Sequence, residues 1–127
     1  MIYLDSSALV KAIVDEEQSL AVRALMTGAM VTTSALSVVE VIRAVRRRQE
    51  DQVLAARKTL AEAALIPIDD AVLGQAGMLG PASLRSLDAI HLASALLIRP
   101  ELEAFVAYDD RLLDAAAALG MPVASPT

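Results

Sequence analysis

The sequence predicts an α/β sandwich built on a mostly parallel central sheet. Three observations lead there. Short apolar runs alternate with longer helical patterns from one end of the chain to the other. At 127 residues the chain suits one domain spanning 1–127. Hydrophobic residues make up 56% while charges are spread throughout, which argues for a packed core and against disorder.

Element by element, Ile2-Tyr3-Leu4 reads as a strand that ends at Asp5, and residues 6–14 read as a helix. A second helix over 16–26 carries Leu20 and Leu25 and stops at Gly28. Residues 30–33 form a second strand. A long helix follows over 34–48, then another over 51–64. Residues 65–68 form a short strand whose proline, Pro67, suggests the sheet edge. Residues 70–79 are helical, and Gly80-Pro81 breaks the chain. A very apolar helix over 86–98 stops near Pro100. Residues 104–108 form a strand, residues 110–119 a last helix closed by Gly120, and 122–124 a final short strand. Right-handed crossovers would put helices on both faces of such a sheet, and ligands would bind outside the carboxyl ends of its strands.

Composition removes several kinds of chemistry. There is no cysteine, so disulfides, thiolate metal sites and cysteine nucleophiles are excluded, and the single histidine, His91, cannot build a histidine-rich metal site. No apolar run reaches the roughly 18–20 residues of a membrane span, and the start has no basic signal region, so a cytoplasmic protein without membrane contact is expected. The net charge of −5 argues against a general nucleic-acid binder, but it leaves room for a nuclease that brings its own cations. Aromatic rings are too few for a base-stacking platform, so the core must be aliphatic, with Met26, Met30, Met78 and Met121 as fillers.

The carboxylates carry the functional signal. Asp5 and Asp109 each close a predicted strand at the carboxyl edge of the sheet. Each also fits an ordinary helix N-cap, as does Asp69. Glu40 and Asp88 are harder to explain, because both sit inside apolar helical stretches, where a buried, unpaired carboxylate costs several kcal/mol or protonates. Glu40 could pair with Arg43 three residues on, and Asp88 could serve the dipole of its helix. Alternatively, the four acids converge and a divalent cation relieves their repulsion. Oxygen-only donors suit Mg²⁺ or Mn²⁺, and such ions support attack of water on a phosphodiester.

Four segments now line up with a known family. Ile2-Tyr3-Leu4-Asp5-Ser6-Ser7-Ala8-Leu9, Ser37-Val38-Val39-Glu40-Val41, Leu87-Asp88-Ala89-Ile90-His91-Leu92-Ala93 and Phe105-Val106-Ala107-Tyr108-Asp109-Asp110-Arg111-Leu112 resemble, in order and end to end, the motifs of PIN-domain ribonucleases. More narrowly, the chain resembles the VapC-type toxin of a type II toxin–antitoxin pair. The resemblance implies a three-layer α/β/α sandwich, a homodimer, an RNA substrate, a cognate antitoxin at or beside the site, and a Mg²⁺-dependent endoribonuclease. It makes Asp5 and Asp88 the principal metal ligands, with Glu40 and Asp109 completing the acidic pocket and Asp110 as an alternative to Asp109. Ser6 falls where the family often has a hydroxyl near the site. Ala107 departs from the family's usual Thr or Ser two residues before the fourth acid, which keeps open a second reading: a catalytically weak PIN-like module acting through its antitoxin. A response-regulator receiver fits poorly, since Asp5 is followed by Ser6-Ser7 and both lysines, Lys11 and Lys58, come early.

Several other residues admit two roles. Arg43, Arg46, Arg47 and Arg48 could track RNA phosphates or serve the end of their helix. Arg85 and Arg111 could contact substrate or antitoxin, or pair with an acid. His91, three residues after Asp88, is read as a packing residue, with general acid–base work as the alternative.

Overall fold

Ile2-Tyr3-Leu4 forms strand β1 (Ile2–Leu4), and all three side chains are buried, as a central parallel strand covered on both faces requires. The computed structural model describes residues 1–127. Around β1 it arranges β2 (Val31–Ser34), β3 (Ala64–Ile66), β4 (Ala104–Val106) and β5 (Val123–Ala124) in the order β3-β2-β1-β4-β5. Every pairing is parallel, with Ile2 opposite Val31 on one side and Ala104 on the other. β3 lies at the edge, and Pro67 follows its last residue, where a missing N–H costs no ladder bond.

Helices α1 (Ser6–Ile13), α2 (Ser19–Met26), α3 (Leu36–Arg48) and α4 (Val53–Glu62) make the first two crossovers. They pack on Ile2, Leu4 and Val106 through Leu9, Val22, Val41, Val45 and Leu60. Side chains alternate across a strand, so Tyr3 and Phe105 point the other way. There α6 (Ser86–Leu97) and α7 (Asp110–Ala118) cover them with Leu92, Leu112 and Ala115, and α5 (Asp70–Met78) packs onto α6 through Val72 and Ala76. The result is the three-layer α/β/α sandwich. Tyr3 and Phe105 stack nearly parallel at 5.2 Å in an otherwise largely aliphatic core.

Connections from β1 run towards β2 over one face, whereas those from β4 run towards β5 over the other. The loops leaving β1 and β4 therefore diverge and open a crevice at the carboxyl ends of these two neighbours, the usual ligand position in an open parallel sheet.

Several boundaries differ from those expected. α2 begins at Ser19 rather than Glu16, because the Ser19 hydroxyl accepts the Glu16 N–H and closes a turn ahead of the helix. α3 begins at Leu36 because Ser34 still belongs to β2 and its Oγ accepts the Leu36 N–H. A 3-10 turn over Glu50–Gln52 precedes α4. β4 ends at Val106, so Asp109 does not close the strand; it caps α7 three residues further on. Met30 and Met78 are exposed rather than core, and the two ends of α6 carry exposed Leu87 and Leu97.

Gly120 ends α7 with φ of +82°, a left-handed conformation that a Cβ disfavours. An added Cβ would also stand 2.5 Å from the exposed, movable end of Arg99. Gly120→Ala is therefore expected to cost about 1–2 kcal/mol, nearly all of it backbone strain, measurable by urea denaturation.

Candidate active site

Asp5 leaves β1 into the crevice and caps α1. Its Oδ1 accepts both the Ala8 N–H at 3.0 Å and the Ser7 hydroxyl at 2.7 Å, leaving Oδ2 without either. The residue is only 6% exposed. Burial pushes its carboxyl above the usual aspartate range and the nearby Asp88 charge adds to this, while the two hydrogen bonds and His91 act the other way. The same negative charge, second to burial, raises the hydroxyls of Tyr3 and Tyr108.

Glu40, on α3, does not pair with Arg43. It turns inward and accepts the Ser6 hydroxyl at 2.6 Å and His91 Nε2 at 2.8 Å, both on Oε1, so Oε2 stays free. Burial alone would raise its pKa, but the hydrogen bonds from His91 and Ser6 outweigh it and hold the carboxyl below the usual glutamate range. Glu40 is therefore ionised at neutral pH.

His91 is 2% exposed, and Tyr3 Oη lies 2.7 Å from its Nδ1. One arrangement of a neutral ring satisfies both nitrogens: the Tyr3 hydroxyl donates to Nδ1, and Nε2–H donates to Glu40. His91 thus joins β1, α1 and α3 to α6, a role its position in the sequence did not suggest. Ser6 Oγ lies 3.1 Å from Ser37 Oγ, which lies 2.6 Å from Thr33 Oγ1, and Thr33 in turn donates to the Leu4 carbonyl. The buried hydroxyls of Thr33 and Ser37 were missed, although that of Ser6 was expected near the site. Ser37 between Leu36 and Val38 was the available clue, a small polar residue in an apolar stretch.

Asp88, in the first turn of α6, is three-quarters buried rather than enclosed. Arg85, itself 76% exposed, reaches Asp88 Oδ2 at 3.4 Å and Asp109 Oδ2 at 3.3 Å. Asp109 Oδ1 accepts the Leu112 N–H at the start of α7. Ala107, where a hydroxyl was expected, is buried in the layer under α6 and α7.

The four acids thus have different partners. Asp5 feels the charge of Asp88, Glu40 is held by Ser6 and His91, and Arg85 reaches both Asp88 and Asp109. No three acidic or histidine side chains stand close enough to hold an ion among them. A Mg²⁺ ion keeps several of its waters and needs only one or two carboxylates. The donor set fits that requirement: Asp5 offers a buried carboxylate with one uncommitted oxygen and no cationic partner in hydrogen-bonding contact, and Asp88 is near enough for its charge to act on Asp5.

Comparison with known proteins places the chain in a family. A model of the PIN domain matches residues 2–118. The chain belongs to the PIN domain family. It is 44% identical to Ribonuclease VapC47 of Mycobacterium tuberculosis (strain CDC 1551 / Oshkosh), over 99% of this chain and 97% of that one. It is 46% identical to Ribonuclease VapC46 of Mycobacterium tuberculosis (strain ATCC 25618 / H37Rv), over 99% and 98%. Among solved structures, a toxin–antitoxin complex from Klebsiella pneumoniae superposes with a TM-score of 0.76 at 19% identity, covering 100% of this chain and 98% of that one. Mycobacterium tuberculosis VapC20, described as a Sarcin-Ricin loop cleaving toxin, gives 0.72 at 17%, covering 95% and 96%. At these identities the two structures bear on the PIN fold alone.

Proposed function

We propose that this PIN-domain protein is a VapC-type toxin: an endoribonuclease that uses Mg²⁺, or Mn²⁺ in its place, is restrained by a cognate antitoxin, and works in the cytoplasm as a homodimer of one-domain chains. The observation that carries the reading is Asp5, a buried carboxylate with one uncommitted oxygen at the switch point of a parallel sheet, near enough to Asp88 to feel its charge. Near-full-length identity to two VapC ribonucleases supports the choice of RNA. No helix is long and apolar enough to cross a membrane, in keeping with the proposed location. Exposed Val39 and Leu87, bordering the crevice, offer apolar contact for an antitoxin.

In this reading Asp5 and Asp88 would hold the ion. The bound ion would activate water for in-line attack on a phosphodiester and neutralise charge on the leaving oxygen. Glu40, ionised and fixed through Oε1, keeps Oε2 free, where it would orient a water and accept its proton. Tyr3 and Ser6 keep His91 and Glu40 in register. Asp109 anchors the start of α7 and, through Arg85, the near end of α6.

The alternative of a catalytically weak module rests on Ala107, and that side chain is packed in the core under α6 and α7. The deciding experiment is cleavage of total RNA by antitoxin-free protein with Mg²⁺ and with EDTA, mapped by end sequencing. Discrete cuts are expected with Mg²⁺ and none with EDTA. Cleavage indifferent to EDTA, or no cleavage with either ion, overturns the proposal.

A further inference from the structure

A groove of about 680 Å³ leads from Ser6 and Glu40 along α3 to the basic end of that helix. The sequence offers four arginines there, and the structure separates them. Arg48 pairs with Glu16, a carboxylate only 13% exposed that also binds Lys11 at 2.8 Å. Burial works to raise the pKa of Glu16, but Lys11 and Arg48 together hold it low, so two of the local cations are already engaged. Arg46 faces Glu50 one turn on, at 4.0 Å. Arg43 and Arg47 make no ion pair, are exposed, and line the groove. They lie three and seven residues beyond Glu40, on the same side of the helix. At about 1.5 Å per residue they sit roughly 4.5 and 10.5 Å along the axis from it.

We infer that Arg43 and Arg47 form a two-step phosphate ladder, along which single-stranded RNA leaves the acid pocket down α3. The inference rests on the ribonuclease reading and adds the direction the strand takes. An acidic protein repels nucleic acid at long range, so unpaired cations next to the carboxylates have a specific use: they hold the backbone where the pocket would push it away. Arg46 and Arg48, bound to acids, contribute little, and the helix dipole accounts for their position.

The test uses the full chain carrying Asp88→Asn in Mg²⁺ and a fluorescein-labelled single-stranded oligoribonucleotide, with anisotropy read from about 50 to 300 mM salt. Adding Arg43→Gln and Arg47→Gln is expected to weaken binding about tenfold and to flatten the log Kd against log salt slope by about 1.4, the release expected for two single-strand phosphates. Arg46→Gln is expected to leave the slope unchanged. Both groove arginines are exposed, and circular dichroism checks that the fold is kept. An unchanged slope in the double variant, or an equal loss in Arg46→Gln, overturns the inference; binding of an acidic protein segment in place of RNA would give the unchanged slope. Wild-type cleavage of RNA in Mg²⁺ tests the parent reading separately.

Discussion

Asp5→Asn is expected to lower RNA cleavage by at least about 10²-fold while making the metal-free protein more stable at neutral pH. The two effects share one cause. The carboxamide oxygen of the replacement can still accept from Ala8 and Ser7, and asparagine caps helices about as well as aspartate, so local structure survives. The charge that would grip the cation is gone. Stability moves in the opposite direction because the folded-state pKa of Asp5 is raised, chiefly by burial. Between its ordinary value and the raised one, the native state keeps a proton that the unfolded chain has released. Native stability therefore falls as pH rises through that interval, and stays lower above it. The uncharged variant has no such decline. Relative to wild type, it is expected to gain in melting temperature as pH rises from below the usual aspartate range to pH 7, in thermal melts run with EDTA. Added Mg²⁺ should then stabilise wild type alone, since a ligand that binds only the native state raises apparent stability. A melting difference that stays flat with pH, or wild-type cleavage by the variant, would contradict this account.

His91→Ala carries the second large effect. It empties a fully buried site and removes a close hydrogen-bond partner of both Tyr3 and Glu40. Cavity and lost hydrogen bonds together should cost about 2–4 kcal/mol in urea unfolding. Activity should fall as well, because Glu40 loses one of the two donors that fix Oε1. Tyr3→Phe is the informative companion. It keeps the stacking on Phe105 and removes only the hydroxyl, so it should cost about 1 kcal/mol and a smaller part of the rate. If His91→Ala melts like wild type, the polar chain from β1 to α3 is not the support described here.

The parts of the molecule legible in the sequence are those governed by local rules. The apolar run at Ile2–Leu4 followed by an acid is a central strand and its cap, and Pro67 marks the edge strand. The parts that were not legible depend on contacts between distant segments. Helical spacing offered Arg43 to Glu40, but Ser6 and His91, 34 and 51 residues away, hold it instead. His91 meets Tyr3 across 88 residues, and nothing in its own helix announces that. Arg85 and Asp109 meet across the crevice from helices that the sequence cannot orient. Met30 and Met78 show the other gap: an apolar side chain is free to lie at the surface, so residue type alone does not assign it to the core.

The place of β1 bears on when the protein becomes active during synthesis. The first strand is inserted between β2 and β4, and the Asp5 N–H bonds the Val106 carbonyl at 3.1 Å. A chain halted on the ribosome before residue 104 has no strand to flank β1 on that side, and it lacks Asp109 altogether. Such long-range pairing is won late in folding. Interrupted translation products and fragments clipped ahead of β4 should therefore lack an assembled acid pocket and leave RNA uncut.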